Sequence, residues 1–310
     1  MDEGVINRVM QLYGIPYEAV LPAQKGYRNS SYPIVTKNGT LNLILYKSEP
    51  DILPRIKRTN NIGNFLAEQG LPTRQTYDPR ILALKNSSQT RYASLYRYLP
   101  GDTIAWEAYS MEHLKALGGM LGRIHHALAS YSEELPDVVS ESRALQKRLH
   151  SYFAQPGVQR ALAAKLSLQI QNFDFSKVFN TLDAIPKQAL HMDFVRGNIL
   201  FTDKTISGVL DFEKAASGNV AFDVARTLAF LLVDCKYKDE IKIRKYFLDS
   251  GYQKRGGGTV PKEVNQLVYF YLLHDFYKFL RHNPYEFLPQ NEHFVRTKEQ
   301  LLKVGLIRQV

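Results

Sequence analysis

His191-Met192-Asp193-Phe194-Val195-Arg196-Gly197-Asn198 is followed, thirteen positions after Asn198, by Asp211-Phe212-Glu213. Between the two pieces lie an apolar run (Ile199, Leu200, Phe201), a polar break (Thr202-Asp203-Lys204-Thr205) and a second apolar run (Ile206, Val209, Leu210). Two apolar runs around a short polar break read as a β-hairpin. A turn centred on Lys204 and Thr205 sets Asn198 opposite Asp211. The fold then joins a carboxamide and a carboxylate, hard oxygen donors of the kind Mg²⁺ accepts while water and phosphate oxygens complete its octahedron. Asp193, five residues before Asn198, falls on the preceding loop, placed to orient an acceptor hydroxyl and take its proton. This layout points to phosphoryl transfer.

These residues resemble the aminoglycoside phosphotransferase, or choline-kinase-like, family of the protein-kinase-like fold, whose catalytic segment reads H-x-D-x-x-x-x-N, then a hairpin, then Asp. Gly218-Asn219-Val220-Ala221-Phe222-Asp223-Val224-Ala225 is similar to the family's G-D-x-x-x-D-L-A segment, and the resemblance implies that Asp223 holds the catalytic loop in place. Leu117-Gly118 through Ile124-His125 resembles the family's L-G-x-x-L-x-x-L-H helix, and Arg97-Tyr98-Leu99-Pro100-Gly101 its E-Y-L-P-G hinge. Asn29-Ser30-Ser31-Tyr32 and Gly70-Leu71-Pro72 resemble shorter N-terminal motifs, so the likeness runs over roughly residues 20 to 230. It implies an α+β, two-lobed fold: a β-rich nucleotide-binding lobe over 1–96, a hinge at 97–101, and a helical lobe over 102–310 carrying the catalytic loop and acceptor site. ATP and Mg²⁺ are the implied cofactors.

The local pattern agrees with that order. Tyr32 to Val35, Leu41 to Tyr46 and Tyr92 to Tyr98 read as strands, with Asn38-Gly39 a hairpin turn between the first two. Residues 53 to 69 read as a helix closed by Gly70. Beyond Pro100-Gly101 the period turns helical: Leu114, Leu117, Leu121, Ile124 and Leu128 mark one buried face, and further helices are expected near 141–151, 157–170, 221–234, 239–249 and 262–281.

Several positions keep two readings. His191 is expected to brace Asp193 by hydrogen bonding, since a metal-hydrolase site needs more histidines than stand near it. Arg196 either neutralises charge on the transferred phosphoryl or reaches solvent; Glu213 either meets the metal shell or acceptor, or forms a structural salt bridge. For the lysine that the resemblance implies grips the nucleotide phosphates, Lys47 is the candidate, sharing strand parity with Leu45. The glutamate that should pair with it is missing, because the corresponding helix reads Arg58-Thr59-Asn60-Asn61; either Glu68 or Glu49 substitutes, or the pair is absent. The phosphate-covering loop, Gln24 to Ser31, holds only Gly26, and the hinge backbone near Arg97 and Leu99 is expected to meet adenine.

Composition narrows the partners. The net charge of +10 argues against a polycationic acceptor and for a neutral or anionic one, such as a sugar, a phosphorylated metabolite or an amino alcohol carrying a carboxylate. The densest basic stretch, Lys236 to Arg255, is interleaved with Asp239, Glu240 and Asp249, so a solvated helix face is expected there rather than a nucleic-acid surface. No 18-residue apolar run and no charged-then-apolar leader appear, and the single cysteine, Cys235, excludes an internal disulfide framework; a soluble cytoplasmic protein with no membrane partner is expected. Trp106, Glu107, His274 and Asp275 are acceptor-pocket candidates. The competing functions are a Ser/Thr protein kinase of the same fold, an inactive nucleotide-binding module and a basic RNA-associated protein.

Overall fold

The computed structural model describes residues 2–25, 29–85, 89–235 and 239–310. In chain order these form α1 (Asp2–Tyr13), β1 (Ala19–Val20), β2 (Gln24–Lys25), β3 (Ser30–Thr36), β4 (Gly39–Tyr46), α2 (Ile52–Glu68), β5 (Leu82–Lys85) and β6 (Thr90–Arg97). Next come α3 (Met111–Leu128), α4 (Val138–Phe153), α5 (Pro156–Leu166), β7 (Leu168–Ile170), α6 (Ser176–Asp183), β8 (Gln188–Leu190), β9 (Ile199–Thr202) and β10 (Thr205–Val209). The chain closes with β11 (Ala216–Gly218), α7 (Val220–Asp234), α8 (Glu240–Arg244), a π-helical stretch Lys245–Tyr252, α9 (Val264–His282), α10 (Glu292–Lys303) and β12 (Ile307–Gln309).

Two compact units result: residues 1–103 with 198–214, and residues 104–197 with 215–310. This departs from the expected division, which kept the hairpin of β9 and β10 with the C-terminal lobe. The hairpin bonds into the first unit instead: Val209 N–H donates to Pro72 O at 2.7 Å, while Phe201 and Asp102 exchange two backbone hydrogen bonds of 2.9 and 3.0 Å. Gly101 allows the second contact. At φ +107° it lies where side chains are disfavoured, and a Cβ there would sit 2.6 Å from Phe201 O.

In the first unit, the strands form one antiparallel sheet in the order β1-β3-β4-β6-β5, with β2 paired to β3. Alternation along β4 decides what is buried: Leu41, Leu43 and Leu45 face a cluster with Ile34, Leu95 and α1, while Ile44 and Tyr46 face Ile52, Ile56 and Tyr96. Helix α1 was not expected from the sequence. Its Ile6, Val9, Met10 and Tyr13 recur at 3- and 4-residue steps and cover the β-sheet. On the other face, Tyr96 OH donates to Asn60 Oδ1 of α2 at 2.7 Å and lies 2.6 Å from Tyr46 OH, a satisfied polar chain within apolar packing.

The second unit is mostly helical. Helix α7 is apolar nearly all round and is buried along almost its whole length. The helix expected at 157–170 stops at Leu166 because Ser167 turns left-handed (φ 52°), and Leu168–Ile170 then pairs with the C-terminal β12. Likewise, the helix expected at 239–249 is α-helical only to Arg244 before it widens to a π-helix that ends at Tyr252. That stretch packs against α3 at near-contact distance. A Cβ on Gly118 would fall 2.0 Å from Phe247 O and 2.7 Å from Tyr252 N.

Alanine is favoured over glycine in a helix interior by about 1 kcal/mol, so at an open helical site Gly→Ala stabilises. At Gly118 the backbone of the π-helical stretch cannot step aside, and overpacking should win. Gly118→Ala is expected to lower the unfolding free energy by about 1–3 kcal/mol in urea titration; a variant as stable as the native chain would show that the α3 contact is not close.

Candidate functional site

The loop 191–197 and the hairpin that follows it belong to different compact units. In the second unit, β8 delivers the chain to His191, and β11 and the Asn219 cap, whose side chain accepts Ala221 N–H at 3.0 Å, start α7 so that Asp223 lies in its first turn. The Asp223 carboxylate is buried and accepts hydrogen bonds from His191 N–H (2.7 Å), Met192 N–H (3.0 Å) and His125 Nε2 (3.0 Å). Burial alone would push its pKa up, but the His125 hydrogen bond and charge, with the His191 amide, outweigh burial and hold it below the ordinary 3.8.

Those bonds also hold an unfavourable backbone. Met192 has φ 62°, a left-handed conformation that costs a non-glycine residue about 1–2 kcal/mol. A hydrogen bond to a charged carboxylate contributes about 1.5–3 kcal/mol, enough to offset it. Asp193 follows with its N–H donating to His191 Nδ1 at 3.3 Å, and Phe194 O accepts from Thr227 Oγ1 of α7 at 3.1 Å. His191 is fully buried, its ring edge-on to Phe194 at 5.7 Å. Behind the carboxylate, His125 Nδ1 lies 2.7 Å from Tyr252 OH, so the π-helical stretch reaches the loop through α3 and Asp223. The sequence resemblance found His125 and Asp223; Tyr252 was missed, having no sequence-local signal.

Arg196 is half-buried, and its positive charge acts on Tyr109 and Asp234. Burial pushes the Asp234 carboxyl up, partly countered by His293, whose Nδ1 lies 3.2 Å from it, and by Arg196. Of the acceptor-pocket candidates, Asp275 is engaged by both oxygens with Arg226 Nη1 (3.2 and 3.1 Å) and lines a cavity of about 340 Å³ with Phe230, Lys278, His282 and His293. His274 is desolvated, its pKa pushed down to about 3, so its ring stays neutral. Glu107 is exposed.

In the first unit, the hairpin turns one residue earlier than expected. Thr202 pairs with Thr205, leaving Asp203-Lys204 at the tip with Asp203 left-handed (φ 53°), and a bulge at Ser207 shifts the register to Ile199 opposite Val209. Asn198 therefore faces Leu210, whose N–H donates to Asn198 O at 2.8 Å, and Asp211 stands one residue further on. Asp211 is itself left-handed, φ 61°, and its Oδ1 accepts Glu213 N–H at 3.1 Å. Glu213 in turn is held from α2: Arg58 Nη1 donates to its backbone O at 3.0 Å, and Arg55 Nη1 lies 3.7 Å from its carboxylate. Sequence reasoning saw that arginine stands where an acid was expected but missed this partner.

The nucleotide candidates lie toward opposite ends of the β4–β6 pair, in which Tyr46 pairs with Tyr92 and Leu41 with Arg97. Lys47 is exposed one residue beyond β4, with its N–H donating to Asn29 Oδ1 at 3.4 Å. Glu49 is bound to Arg55 at 2.9 Å, and Glu68 ends α2. Arg97 closes β6, exposed, its N–H donating to Gln75 O at 2.9 Å and its guanidinium 5.8 Å from the Tyr77 ring; Leu99 is half-buried. Gly26 lies outside the described residues.

Asn198 and Asp211 fit Mg²⁺ by donor type. Among the described residues no three His, Cys, Asp or Glu gather to hold a metal, and a single carboxylate with a carboxamide suits an ion that keeps water and binds through phosphates. No helix among the described residues is long and apolar enough to cross a membrane.

Residues 19–243 match the model of the phosphotransferase enzyme family. Homoserine kinases of Xanthobacter autotrophicus and Pseudomonas aeruginosa are 26% and 31% identical over 210 residues, 65% and 66% of this chain but only 60% and 62% of theirs. The chain thus spans less than two thirds of the length of these relatives. The crystal structure of the macrolide 2'-phosphotransferase MphH from Brachybacterium faecium superposes with a TM-score of 0.60 at 18% identity, covering 97% of this chain and 96% of that one, a likeness of fold.

Because Asp223 titrates below 3.8 in the folded chain, its contribution is fully present above the unfolded value and fades as pH falls through the lower folded one. Asp223→Asn turns one acceptor into a donor facing a backbone N–H. It is expected to cost about 3–5 kcal/mol at pH 7, with the gap from the native chain narrowing as pH falls below 3.8 in urea titrations. A pH-independent gap would show that the carboxylate charge plays no part.

Proposed function

The chain belongs to the phosphotransferase enzyme family, and we propose that it moves the γ-phosphoryl group of ATP to a hydroxyl of a small molecule. The observation that carries this reading is the clamped loop: a buried Asp223 holds His191 and Met192 by their amides, directly before Asp193. In this reading the Asp193 carboxylate aligns the acceptor hydroxyl and takes its proton as the new O–P bond forms and the bond to the leaving ADP breaks. Such transfer is chiefly positioning and charge stabilisation. Asn198 and Asp211 would hold Mg²⁺, which when bound neutralises phosphate oxygens. Lys47 and the Gly26 loop are assigned to the nucleotide phosphates, and the backbone near Arg97 and Leu99 to adenine. His191 braces the loop.

The acceptor is read as neutral or anionic. A chain of net charge +10 disfavours a polycation, and Arg196, three residues after Asp193, adds a local cation suited to a carboxylate or phosphate. Homoserine, the substrate named for the relatives, is an amino alcohol carrying a carboxylate and is the acceptor to test first. A cytoplasmic location fits a chain whose single cysteine, Cys235, is buried.

Asp193→Ala should lower kcat by about 10²- to 10⁴-fold with ATP binding retained, while Asp211→Ala should abolish the Mg²⁺-dependent thermal stabilisation by ATP. If the native chain gains no stability from millimolar Mg·ATP, the phosphotransfer reading fails; labelled phosphate appearing on polypeptide and on no small alcohol would move the acceptor to protein.

A further inference from the structure

We infer that Arg58 and Arg55 of α2 are positioning residues for the Asp211 carboxylate, acting through Glu213. The inference rests on the phosphotransfer reading above and deepens its metal site. Arg55 and Arg58 are three residues apart and so share a face of α2. Both guanidinium groups meet Glu213: Arg58 at the backbone carbonyl (3.0 Å), Arg55 at the carboxylate (3.7 Å). The Glu213 side chain is only 9% exposed, and Arg55 is steadied from the other side by Glu49 at 2.9 Å.

What is held is the turn that aims Asp211. The Asp211 backbone is left-handed and so persists only where its surroundings over-determine it. Its Oδ1 is oriented by the Glu213 amide at 3.1 Å, so the direction of the carboxylate depends on where the 213 peptide sits. Arg58 fixes that peptide by its oxygen, and Arg55 fixes the residue by its side chain. Charge placement agrees. Glu213 lies close enough to Tyr46 and Tyr96, beneath α2, for its charge to oppose their ionisation. At position 58, where the family resemblance implied a helix glutamate, this chain has an arginine, and an acid stands two residues after Asp211.

A plain surface ion pair would add a little stability and leave metal affinity alone. A partner that orients a ligand typically changes metal affinity about 10–100-fold. The test is a titration of Mn²⁺ into the full chain with a non-hydrolysable ATP analogue present, read by calorimetry and by thermal shift, alongside hydrogen exchange of the Glu213 amide without metal. Arg58→Met and Glu213→Gln are each expected to raise the Mn²⁺ midpoint about 10–100-fold. Arg58→Met should also exchange the Glu213 amide faster. The reversed pair, Arg55→Glu with Glu213→Arg, should bind metal better than either single change. If Arg58→Met unfolds the chain, Arg58→Lys, which keeps charge but loses the planar fork, and Glu213→Gln carry the test. Folded variants with the native midpoint would overturn the inference. A native chain that binds no Mn²⁺ with the analogue would overturn both the inference and the phosphotransfer reading, and that result appears before any variant is examined.

Discussion

A carboxylate buried without partners would take up a proton or unfold its surroundings; Asp223 does neither because three donors converge on it. Two of those donors are consecutive backbone amides of the loop that carries Asp193, so the same bonds that keep the charge tolerable also fix the loop. The third donor, His125, is set by a glycine-lined face of α3 that lets the π-helical stretch come close enough for Tyr252 to reach its other nitrogen. Packing, backbone conformation and electrostatics in the second unit are therefore one arrangement, and a change at any of them is felt at residue 193.

The first unit solves a similar problem with other means. Asp211, like Met192, sits in a backbone conformation that favours glycine, and strain of this kind survives only under restraint. Here restraint comes from long, charged side chains on α2 instead of a buried carboxylate. Guanidinium groups suit that task because their planar fork can meet a carbonyl and a carboxylate with little loss of freedom for each bond. In sequence, left-handed Met192 stands directly before Asp193 and left-handed Asp211 two residues after β10.

What could be read in advance followed from local rules. The alternation of Leu41, Leu43 and Leu45 and the 3- and 4-step recurrence from Leu114 to Leu128 depend only on which side of a strand or helix a residue occupies, and these elements were found where expected. The hairpin was legible, its register was not. A left-handed Asp203 and a bulge at Ser207 moved Asn198 from Asp211 to Leu210, because turn type and bulges depend on how the hairpin bonds to Pro72 and Asp102. The same bonds set the hairpin in the first unit.

By itself the sequence determined the kinds of element, the spacing of His191, Asp193, Asn198 and Asp211, and the acid at 223, since these are matters of periodicity and residue chemistry along one stretch of chain. Only the tertiary structure decided the partners. Tyr252 meets His125 across 127 residues and Arg58 meets Glu213 across 155. Nothing local marks such pairs, because a hydrogen bond depends on positions and directions in space that packing alone supplies.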